Sequence, residues 1–335
     1  MKRKFIACLA CPDCSAELTI SAVTNEDVYG IEAGTLECTE CHRKYDITKY
    51  IPRFVPMENY ASGFGFQWNL HSRTQHDSHS GTKISETRFF TETKWPRHLP
   101  GEYILEVGCG AGRFTAHAAS TGALLVSMDY SSAVDANFAQ NGRLANVVMV
   151  QADIYHPPVK KRFFDKIFCL GVLQHTPNVE QSFNCLVPPL KPGGQLVIDV
   201  YDKPRGLQRL LSTKYFVRPV AKRLPTRLLY ILCKRYIGLM WPVARLIRKL
   251  PRGRRINWIL LIPDYAGKFD LSDEKLKDWA ILDLFDMLSP VYDIPQYLET
   301  VQHWFSQLGM LDVEVHFGQN GIEGRGTKPN LMHEF

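Results

Sequence analysis

The sequence has no run of about 18 uncharged apolar residues, the length that a helix needs to cross a bilayer, and so it predicts no membrane span. The apolar stretch that follows Lys2, Arg3 and Lys4 is too short for a secretory signal. The sequence also lacks the cysteine framework of a disulfide-rich protein, because five of its nine cysteines crowd into residues 8–41. We therefore expect a cytoplasmic protein with reduced cysteines and a metal site near the N-terminus.

Acidic residues are missing from residues 203–263, which contain sixteen of the 40 Lys and Arg residues and none of the 34 Asp and Glu residues. Apolar residues recur there at helical spacing, and Pro219, Pro225, Pro242 and Pro251 are expected to divide the segment into several short helices. Such a segment is typical of helices that lie on an anionic membrane surface. An RNA-binding face and a solvated cap on the protein's own core are the alternatives, and the long apolar stripes favour the membrane over RNA.

Two CxxC motifs, Cys11-Pro-Asp-Cys14 and Cys38-Thr-Glu-Cys41, are separated by a stretch with the alternation of β-strands. Four thiolates on two turns match the closed tetrahedral site of structural Zn²⁺. A redox motif is the alternative, but it needs a single CxxC at the start of a helix. Cys8 is predicted to be a buried strand residue, with competition for the metal as its alternative role. The sequence therefore predicts a structural zinc site held by Cys11, Cys14, Cys38 and Cys41.

Residues 103–112, Tyr-Ile-Leu-Glu-Val-Gly-Cys-Gly-Ala-Gly, combine a short apolar run, an acid and three alternating glycines. An amphipathic stretch follows, so we predict a strand, a tight turn and the start of a helix. The glycines at 108, 110 and 112 let backbone N–H groups approach a ligand closely. A purely structural turn is the alternative interpretation of this pattern alone.

Polar residues follow three further predicted strands, at 124–128, 146–150 and 164–170. In order, they are Asp129, then Gln151-Ala152-Asp153, then Gln174-His175. An acid about twenty residues beyond a glycine-rich turn can accept hydrogen bonds from ribose hydroxyls. One such acid is more often a helix cap, but the ordered series favours a ligand site at the carboxyl ends of parallel strands.

These motifs, with the turn Leu190-Lys-Pro-Gly-Gly194, resemble class I S-adenosylmethionine (SAM)-dependent methyltransferases of the small-molecule, methyltransferase-11-like branch. The resemblance covers residues 60–201 and 285–327. It implies an α/β, Rossmann-like sheet that ends in an antiparallel strand pair, at 311–317 and 321–326. It implies that SAM is bound by Glu106, Gly108, Gly110, Gly112, Asp129, Ala152, Asp153, Leu170 and Gln174. The CxxC pair resembles a Trm112-like zinc ribbon.

Five segments are expected along the chain. They are a zinc ribbon at 1–56, a linker and cofactor lid at 57–100, the methyltransferase core at 101–202, a basic amphipathic helical insertion at 203–263, and the completion of the core at 264–335. Within the lid, the resemblance makes Phe66, Gln67 and Trp68 candidates for a cap over SAM.

Methyl transfer to an oxygen acceptor benefits from a general base, and histidine suits that role. His175, just after the fourth core strand, is the first candidate, with packing beside the methionine part of SAM as the alternative. Tyr292 is a second candidate for contact with the acceptor, together with Tyr201 and Asp293.

We expect a SAM-dependent methyltransferase that modifies a small-molecule, glycan or lipid-linked acceptor, preferably on oxygen, near the inner membrane face. The Asn/Asp-Pro-Pro-Tyr signature typical of many amino-methylating enzymes of nucleic acids does not follow the fourth strand. An rRNA or tRNA methyltransferase that uses the ribbon and the basic segment to bind RNA is the first alternative. A non-catalytic scaffold is the second, and the intact Glu106, Asp129 and Asp153 count against it.

Overall fold

The computed structural model describes residues 1–206 and 211–330, which form one β-sheet of four strands and one of seven. Residues 207–210 of the predicted insertion and 331–335 of the predicted C-terminal segment lie outside the described residues. Within the two described ranges, no helix has both the length and the apolar character needed to cross a bilayer.

The smaller sheet is an antiparallel meander that follows a 3-10 helix at Arg3–Cys8. Its strands are β1 (Leu18–Asp27), β2 (Gly30–Cys38), β3 (Lys44–Thr48) and β4 (Ile51–Pro52). Cys8 is buried, but the prediction that it lies on a strand is wrong. It ends the 3-10 helix, and its thiol lies 2.9 Å from the carbonyl oxygen of Phe5. This turn satisfies backbone groups locally, whereas a strand would need a neighbour.

Three helices lie between the two sheets in the sequence: α1 (Ser62–Leu70), α2 (Asp77–Ser80) and α3 (Ile84–Thr93). Arg88 of α3 forms buried ion pairs with Glu92 and with Asp199. A buried guanidinium needs such partners, because an uncompensated buried charge is costly. The pairing with Asp199 therefore fixes α3 to the larger sheet.

The larger sheet has the strand order β10-β11-β9-β8-β5-β6-β7. Five parallel strands form its body: β5 (Tyr103–Val107), β6 (Leu124–Asp129), β7 (Val147–Gln151), β8 (Phe164–Leu170) and β9 (Leu190–Val200). Two antiparallel strands complete it beside β9, namely β10 (Leu311–Phe317) and β11 (Ile322–Thr327). The predicted Rossmann-like fold, with its terminal antiparallel pair and N-terminal β-ribbon, is confirmed.

Short helices follow three of the parallel strands: α4 (Thr115–Ser120), α5 (Ala133–Asn141) and α6 (Val179–Cys185). Strand β5 has β6 on one side and β8 on the other, so the winding direction of the chain reverses at β5. Open α/β sheets bind ligands at such a reversal, outside the carboxyl ends of the strands. The glycine-rich turn after β5 therefore lies where a ligand is expected.

The remaining helices are α7 (Lys214–Ala221), α8 (Thr226–Ile247), α9 (Gly253–Ile259), α10 (Asp273–Leu288) and α11 (Leu298–Gln307). The prediction that Pro219 and Pro242 divide the basic segment is wrong, because α7 continues through Pro219 and α8 through Pro242. Pro242 is exposed, so water can reach the carbonyl oxygen of Gly238, which has no helical N–H partner. Pro225 does precede α8, and Pro251 follows it.

The ribbon packs against the β7 edge of the larger sheet. Arg53 pairs with Asp135 of α5 (2.6 Å) and donates a hydrogen bond to the side chain of Gln151 (2.9 Å). Its backbone forms a parallel bridge with Gln151 at the end of β7. Lys2 donates hydrogen bonds to two carbonyl oxygens of the core, and Tyr50 stacks on Phe138. The edge strand β7 is therefore covered by the ribbon.

Candidate functional site

The turn after β5 is held against the end of β6 by backbone hydrogen bonds. The N–H groups of Gly108 and Cys109 donate to the carbonyl oxygen of Met128, at 2.8 and 3.0 Å. Gly108 has a φ of +77°, and a Cβ at this position would lie 2.3 Å from a methyl carbon of Val172. Only glycine fits both the dihedral and the space. The turn therefore keeps its backbone close to whatever lies above it.

A cavity of about 670 Å³ opens at the carboxyl ends of the parallel strands. This volume lies within the range of roughly 300–1,000 Å³ typical of small-molecule sites. Its lining includes six of the residues predicted from the sequence as cofactor or catalytic residues: Gly108, Gly110, Asp129, Ala152, Leu170 and His175. Five others are not among the lining residues: Glu106, Gly112, Asp153, Gln174 and Tyr292.

Asp129 is tied to the glycine-rich turn. Its Oδ2 accepts a hydrogen bond from the N–H of Gly110 (2.8 Å), and its Oδ1 accepts from the N–H and the hydroxyl of Ser131. Burial raises the pKa of the Asp129 carboxyl, and these hydrogen bonds oppose the rise. One lone pair of Oδ2 is left for a ligand, because that oxygen accepts only one bond from the described part of the chain.

Glu106 lies beneath the turn rather than in the cavity. Its Oε2 accepts hydrogen bonds from the hydroxyls of Thr115 (2.5 Å) and Ser127 (2.6 Å), and the amide of Asn137 donates to both hydroxyls. Burial raises the pKa of the Glu106 carboxyl to about 7. The geometry therefore gives Glu106 a positioning role, in which it joins β5 to α4, β6 and α5.

The other predicted residues outside the lining have local structural contacts. Gly112 faces α5, where a Cβ would lie 2.2 Å from the side-chain oxygen of Asn137. Asp153 accepts a hydrogen bond from the N–H of Tyr155 (3.0 Å), although its neighbour Ala152 lines the cavity. The side-chain amide of Gln174 is fully buried and has no hydrogen-bond partner among the described residues. These three residues lie outside the cavity lining.

Helix α1 and the residues after it cover the glycine-rich turn. Trp68 lines the cavity, and a Cβ at Gly110 would lie 3.3 Å from its Nε1. His76 donates from Nε2 to the carbonyl oxygen of Ala111 (3.0 Å). Gln67 also lines the cavity, whereas Phe66 packs on Tyr230 and Phe285 outside it. Two of the three predicted cap residues are therefore placed to contact a ligand.

His175 lies in the cavity wall with a defined orientation. Its Nδ1 lies 3.0 Å from the carbonyl oxygen of Tyr292, and its ring packs on Phe64 and Tyr201. Because a carbonyl oxygen only accepts hydrogen bonds, Nδ1 carries a proton, and the neutral ring presents the lone pair of Nε2. Burial lowers the pKa of His175, which favours the neutral ring. Tyr292 thus contributes its backbone to the site.

Helix α10 adds a face whose Trp279 and Asp283 the sequence analysis did not assign to the site. Trp279, Asp283 and Asp286 line the cavity from successive turns of this helix. Asp286 accepts hydrogen bonds from Gln67 (3.0 Å) and Tyr201 (3.4 Å), and Tyr265 donates to Asp283. Burial raises the pKa of Asp283 to about 7. The spacing of 279, 283 and 286 on one helical face was the available signal.

Arg113 was also missed, although it directly follows the glycine-rich turn. It lines the cavity, donates hydrogen bonds to Ser85 (2.9 Å) and Gln75 (3.1 Å), and lies over Trp279. Its hydrogen-bond partners are neutral, and burial lowers the pKa of its guanidinium to about 10. The wall beside the turn therefore carries a buried cation next to a carboxylate-lined face.

The four predicted zinc ligands converge at the start of the ribbon. The sulfur atoms of Cys11, Cys14, Cys38 and Cys41 all lie within 4.8 Å of one another, with Cys11–Cys41 at 3.6 Å and Cys14–Cys38 at 3.4 Å. Zn–S bonds of about 2.3 Å in a tetrahedron imply S···S distances of about 3.8 Å. The donor set and spacing fit a structural Zn²⁺ ion. Cys8 does not belong to this cluster.

Comparison with known families assigns two parts of the chain. Residues 105–198 match the family model of a methyltransferase domain, and residues 2–49 match that of Trm112p-like proteins. The first range contains the glycine-rich turn, Asp129 and His175, and the second contains the four clustered cysteines. The chain therefore carries a class I methyltransferase domain behind a Trm112-like region.

Relatives cover only part of the chain. A ubiquinone biosynthesis O-methyltransferase of Coxiella burnetii is 30% identical over 31% of this chain and 46% of its own length. A tRNA U34 carboxymethyltransferase of Aeromonas salmonicida is 25% identical over 54% of each chain. The chain thus spans about half the length of these relatives. A solved structure from Methanococcus maripaludis, described as a putative SAM-dependent methyltransferase, matches 84% of this chain and 99% of its own, with 14% identity and a TM-score of 0.45.

Proposed function

Because the chain combines a methyltransferase domain with a Trm112-like region, we propose that it transfers the methyl group of SAM to a hydroxyl group of a small-molecule, glycan or lipid-linked acceptor. One observation carries this proposal: Gly108, Gly110, Asp129 and His175 line the same cavity. We place the reaction in the cytoplasm, since reduced cysteines suit that compartment. We keep the division of the chain that the sequence predicts: zinc ribbon, lid, core, insertion and C-terminal completion.

The cofactor side of the cavity fits SAM. The Oδ2 of Asp129 has a lone pair for a ribose hydroxyl, and Met128, Ala152 and Leu170 offer apolar wall. Arg113 offers a positive charge to the methionine carboxylate. When bound, SAM supplies an electrophilic methyl group on a sulfonium. The chain itself has only to hold the acceptor oxygen in line with that group and remove its proton.

We assign the removal of the proton to His175. The hydrogen bond from Nδ1 to the backbone of Tyr292 fixes the tautomer, so Nε2 is the atom that accepts the proton. Burial lowers the pKa of His175, and the neighbouring carboxylate of Asp286 opposes this lowering. The same carboxylate stabilises the imidazolium that forms when Nε2 accepts the proton. Packing beside the methionine part of SAM is the alternative role of His175.

A second candidate function is methylation of RNA. The similarity to a tRNA U34 carboxymethyltransferase and the basic residues of the insertion favour it. The insertion also carries large exposed apolar side chains, for example Leu239, which is 78% exposed. Phosphate-binding faces rely on charge and a few stacking rings, so the first candidate accounts for more of this surface.

The test is transfer of labelled methyl from SAM to a cell lysate, followed by extraction with organic solvent. Label in the organic phase is expected for a lipid-linked acceptor. Aqueous label that disappears with ribonuclease would replace the first candidate by the second. Asp129→Ala is expected to weaken SAM binding by about 10- to 100-fold, because a hydrogen bond to a charged group is lost. Unchanged affinity in calorimetry would refute the cofactor assignment, and Asp46→Ala, which removes an exposed carboxylate of the ribbon strand β3, is the matched control.

A further inference from the structure

Helices α7, α8 and α9 present an unusually apolar outer face. Phe216 and Val220 of α7 are 64% and 67% exposed, and Leu239 and Leu246 of α8 are 78% and 65% exposed. Isolated exposed apolar residues are normal, but a contiguous series of large ones marks an interaction site. These four side chains do not line the cavity, so their exposure is to the outside of the molecule.

Helix α8 has two apolar stripes. One is buried against the rest of the protein and comprises Leu229, Cys233, Ile237, Trp241 and Ala244. The other is exposed and comprises Leu228, Leu232, Tyr236, Leu239, Val243 and Leu246. Both sets follow spacings of three and four residues, so each runs along one side of the helix. An ordinary surface helix has one such stripe. The second stripe is exposed in the described chain, although the hydroxyl of Tyr236 donates a hydrogen bond to the carbonyl oxygen of Leu260.

Exposed cations accompany the exposed stripe. Arg235 lies beside Leu228 and Leu246 on the helix surface, at spacings of seven and eleven residues, whereas Arg227, Lys234 and Arg245 form a basic row on another side of α8. Arg235 and Lys249 are also exposed, and residues 203–263 contain no acid. Some basic residues of this segment have partners within the protein: Arg248 pairs with Asp264 and Asp273, and Arg245 lies 3.9 Å from Asp273. Arg235 nonetheless presents a cation beside the exposed apolar side chains.

We propose that the outer face of α7, α8 and α9 docks on the surface of an anionic lipid bilayer. The apolar stripe enters the boundary between head groups and acyl chains, and the flanking cations contact anionic head groups. A second copy of the chain is a poorer occupant. A symmetric dimer places the same patch on both subunits, so its cations would face cations. The bilayer complements both the charge and the apolar character.

The docking face lies beside the cavity, so this inference rests on the proposed function and deepens it. Tyr215 lines the cavity while the next residue, Phe216, is exposed outside it. Likewise Ile259 of α9 lines the cavity, while Leu260 is exposed beyond it. A single layer of helix, about 10–12 Å thick, therefore separates the cavity from the bilayer. A head group anchored in that bilayer is the acceptor that this arrangement suits.

The experiment uses the full chain and sedimentation with vesicles, either of phosphatidylcholine alone or of an equal mixture with phosphatidylglycerol. The protein is expected to sediment with the mixed vesicles and to be released by salt. The double variant Leu239→Glu, Leu246→Glu is expected to lose at least roughly tenfold in partitioning, because two charges enter the apolar boundary. Val28→Glu is the matched control, since Val28 is 93% exposed on the ribbon and outside the proposed face.

Three results would overturn the inference. They are partitioning that the double variant leaves unchanged, concentration-dependent dimers without vesicle binding, and salt-sensitive binding of RNA without vesicle binding. Calorimetric titration with SAM separates this inference from the proposed function. A double variant that binds SAM normally but not vesicles supports docking, whereas a wild-type protein that binds vesicles but not SAM refutes only the methyltransferase proposal.

Discussion

Replacing Glu106 by Gln tests whether the carboxyl beneath the glycine-rich turn is held in an apolar interior. The side chain is 2% exposed, and it accepts hydrogen bonds from the hydroxyls of Thr115 and Ser127. Gln keeps an oxygen that accepts from both hydroxyls and removes the ionisable group. The substitution therefore changes the charge while it preserves the hydrogen bonds of the turn.

The magnitude follows from the raised pKa. The pKa of Glu106 is raised by burial from 4.5 to about 7, so the folded protein binds this proton more tightly than the unfolded chain. The unfolded chain releases it first as the pH rises, and folding stability falls through this interval. A shift of about 2.5 pKa units corresponds to about 3 kcal/mol. The stability of Glu106→Gln relative to wild type is thus expected to rise by about 3 kcal/mol between about pH 4 and pH 8.

Urea unfolding followed by circular dichroism, at a series of pH values, measures this difference. The titration of groups distant from Glu106, including the zinc ligands, cancels in this difference, whereas Asp129 remains coupled to Glu106 through its charge. Glu58→Gln is the control, since Glu58 is exposed and the same change there should give no such slope. Parallel stability profiles for wild type and Glu106→Gln would refute the buried environment described for this carboxyl.

Three further predictions concern the acceptor and the ribbon. His175→Ala is expected to lower kcat by about 10²- to 10⁴-fold with little change in the Kd of SAM, because the general base is lost; a raised Kd with kcat retained would favour the packing role instead. Arg53→Ala is expected to lower the free energy of unfolding by about 2 kcal/mol, since Asp135 and Gln151 lose a charged partner. Removal of zinc by a chelator should lower the free energy of unfolding by more than this, because the ribbon depends on its metal. Urea unfolding of wild type and Arg53→Ala, each with and without the chelator, measures both changes. Equal stability of wild type and Arg53→Ala with metal present would contradict the Arg53 contact.

The sheet could be predicted because each parallel strand carries its own local signal. The runs at 103–107, 124–128 and 164–170 are mainly apolar, as expected for strands covered on both faces, and glycine or polar residues end each of them. Helix α8 was predicted less well, because the penalty for Pro242 depends on whether its surroundings are hydrated. Sequence periodicity shows that α8 has apolar residues on two sides, but the contacts with α10 decide which side is buried.

Part of the candidate site could be predicted because some of its residues follow directly after predicted strands. Gly108 and Asp129 follow directly from strand ends, and the topology brings strand ends together. Glu106 carries the same local signal, yet strand alternation places it on the opposite side from Val107, which lines the cavity. Asp283 and Asp286 are distant in sequence from the turn and reach the cavity only because α10 packs over it. Their helical spacing marks one face of α10, but it does not show that this face lies over the glycine-rich turn.

The two additions to the methyltransferase core act on different parts of the same cavity. Strand β7 ends the parallel sheet, and an uncovered edge strand is prone to pair with other chains. The ribbon covers it through Arg53, which contacts Gln151, and Gln151 in turn donates to the backbone of Tyr130 beside Asp129. The metal site thereby supports the residues proposed to bind the cofactor. The basic insertion instead supplies α7 and α9 to the part of the cavity wall that we propose faces the acceptor. We therefore expect loss of zinc to weaken cofactor binding. Substitutions on the outer face of α8 should instead change how readily the acceptor enters the cavity.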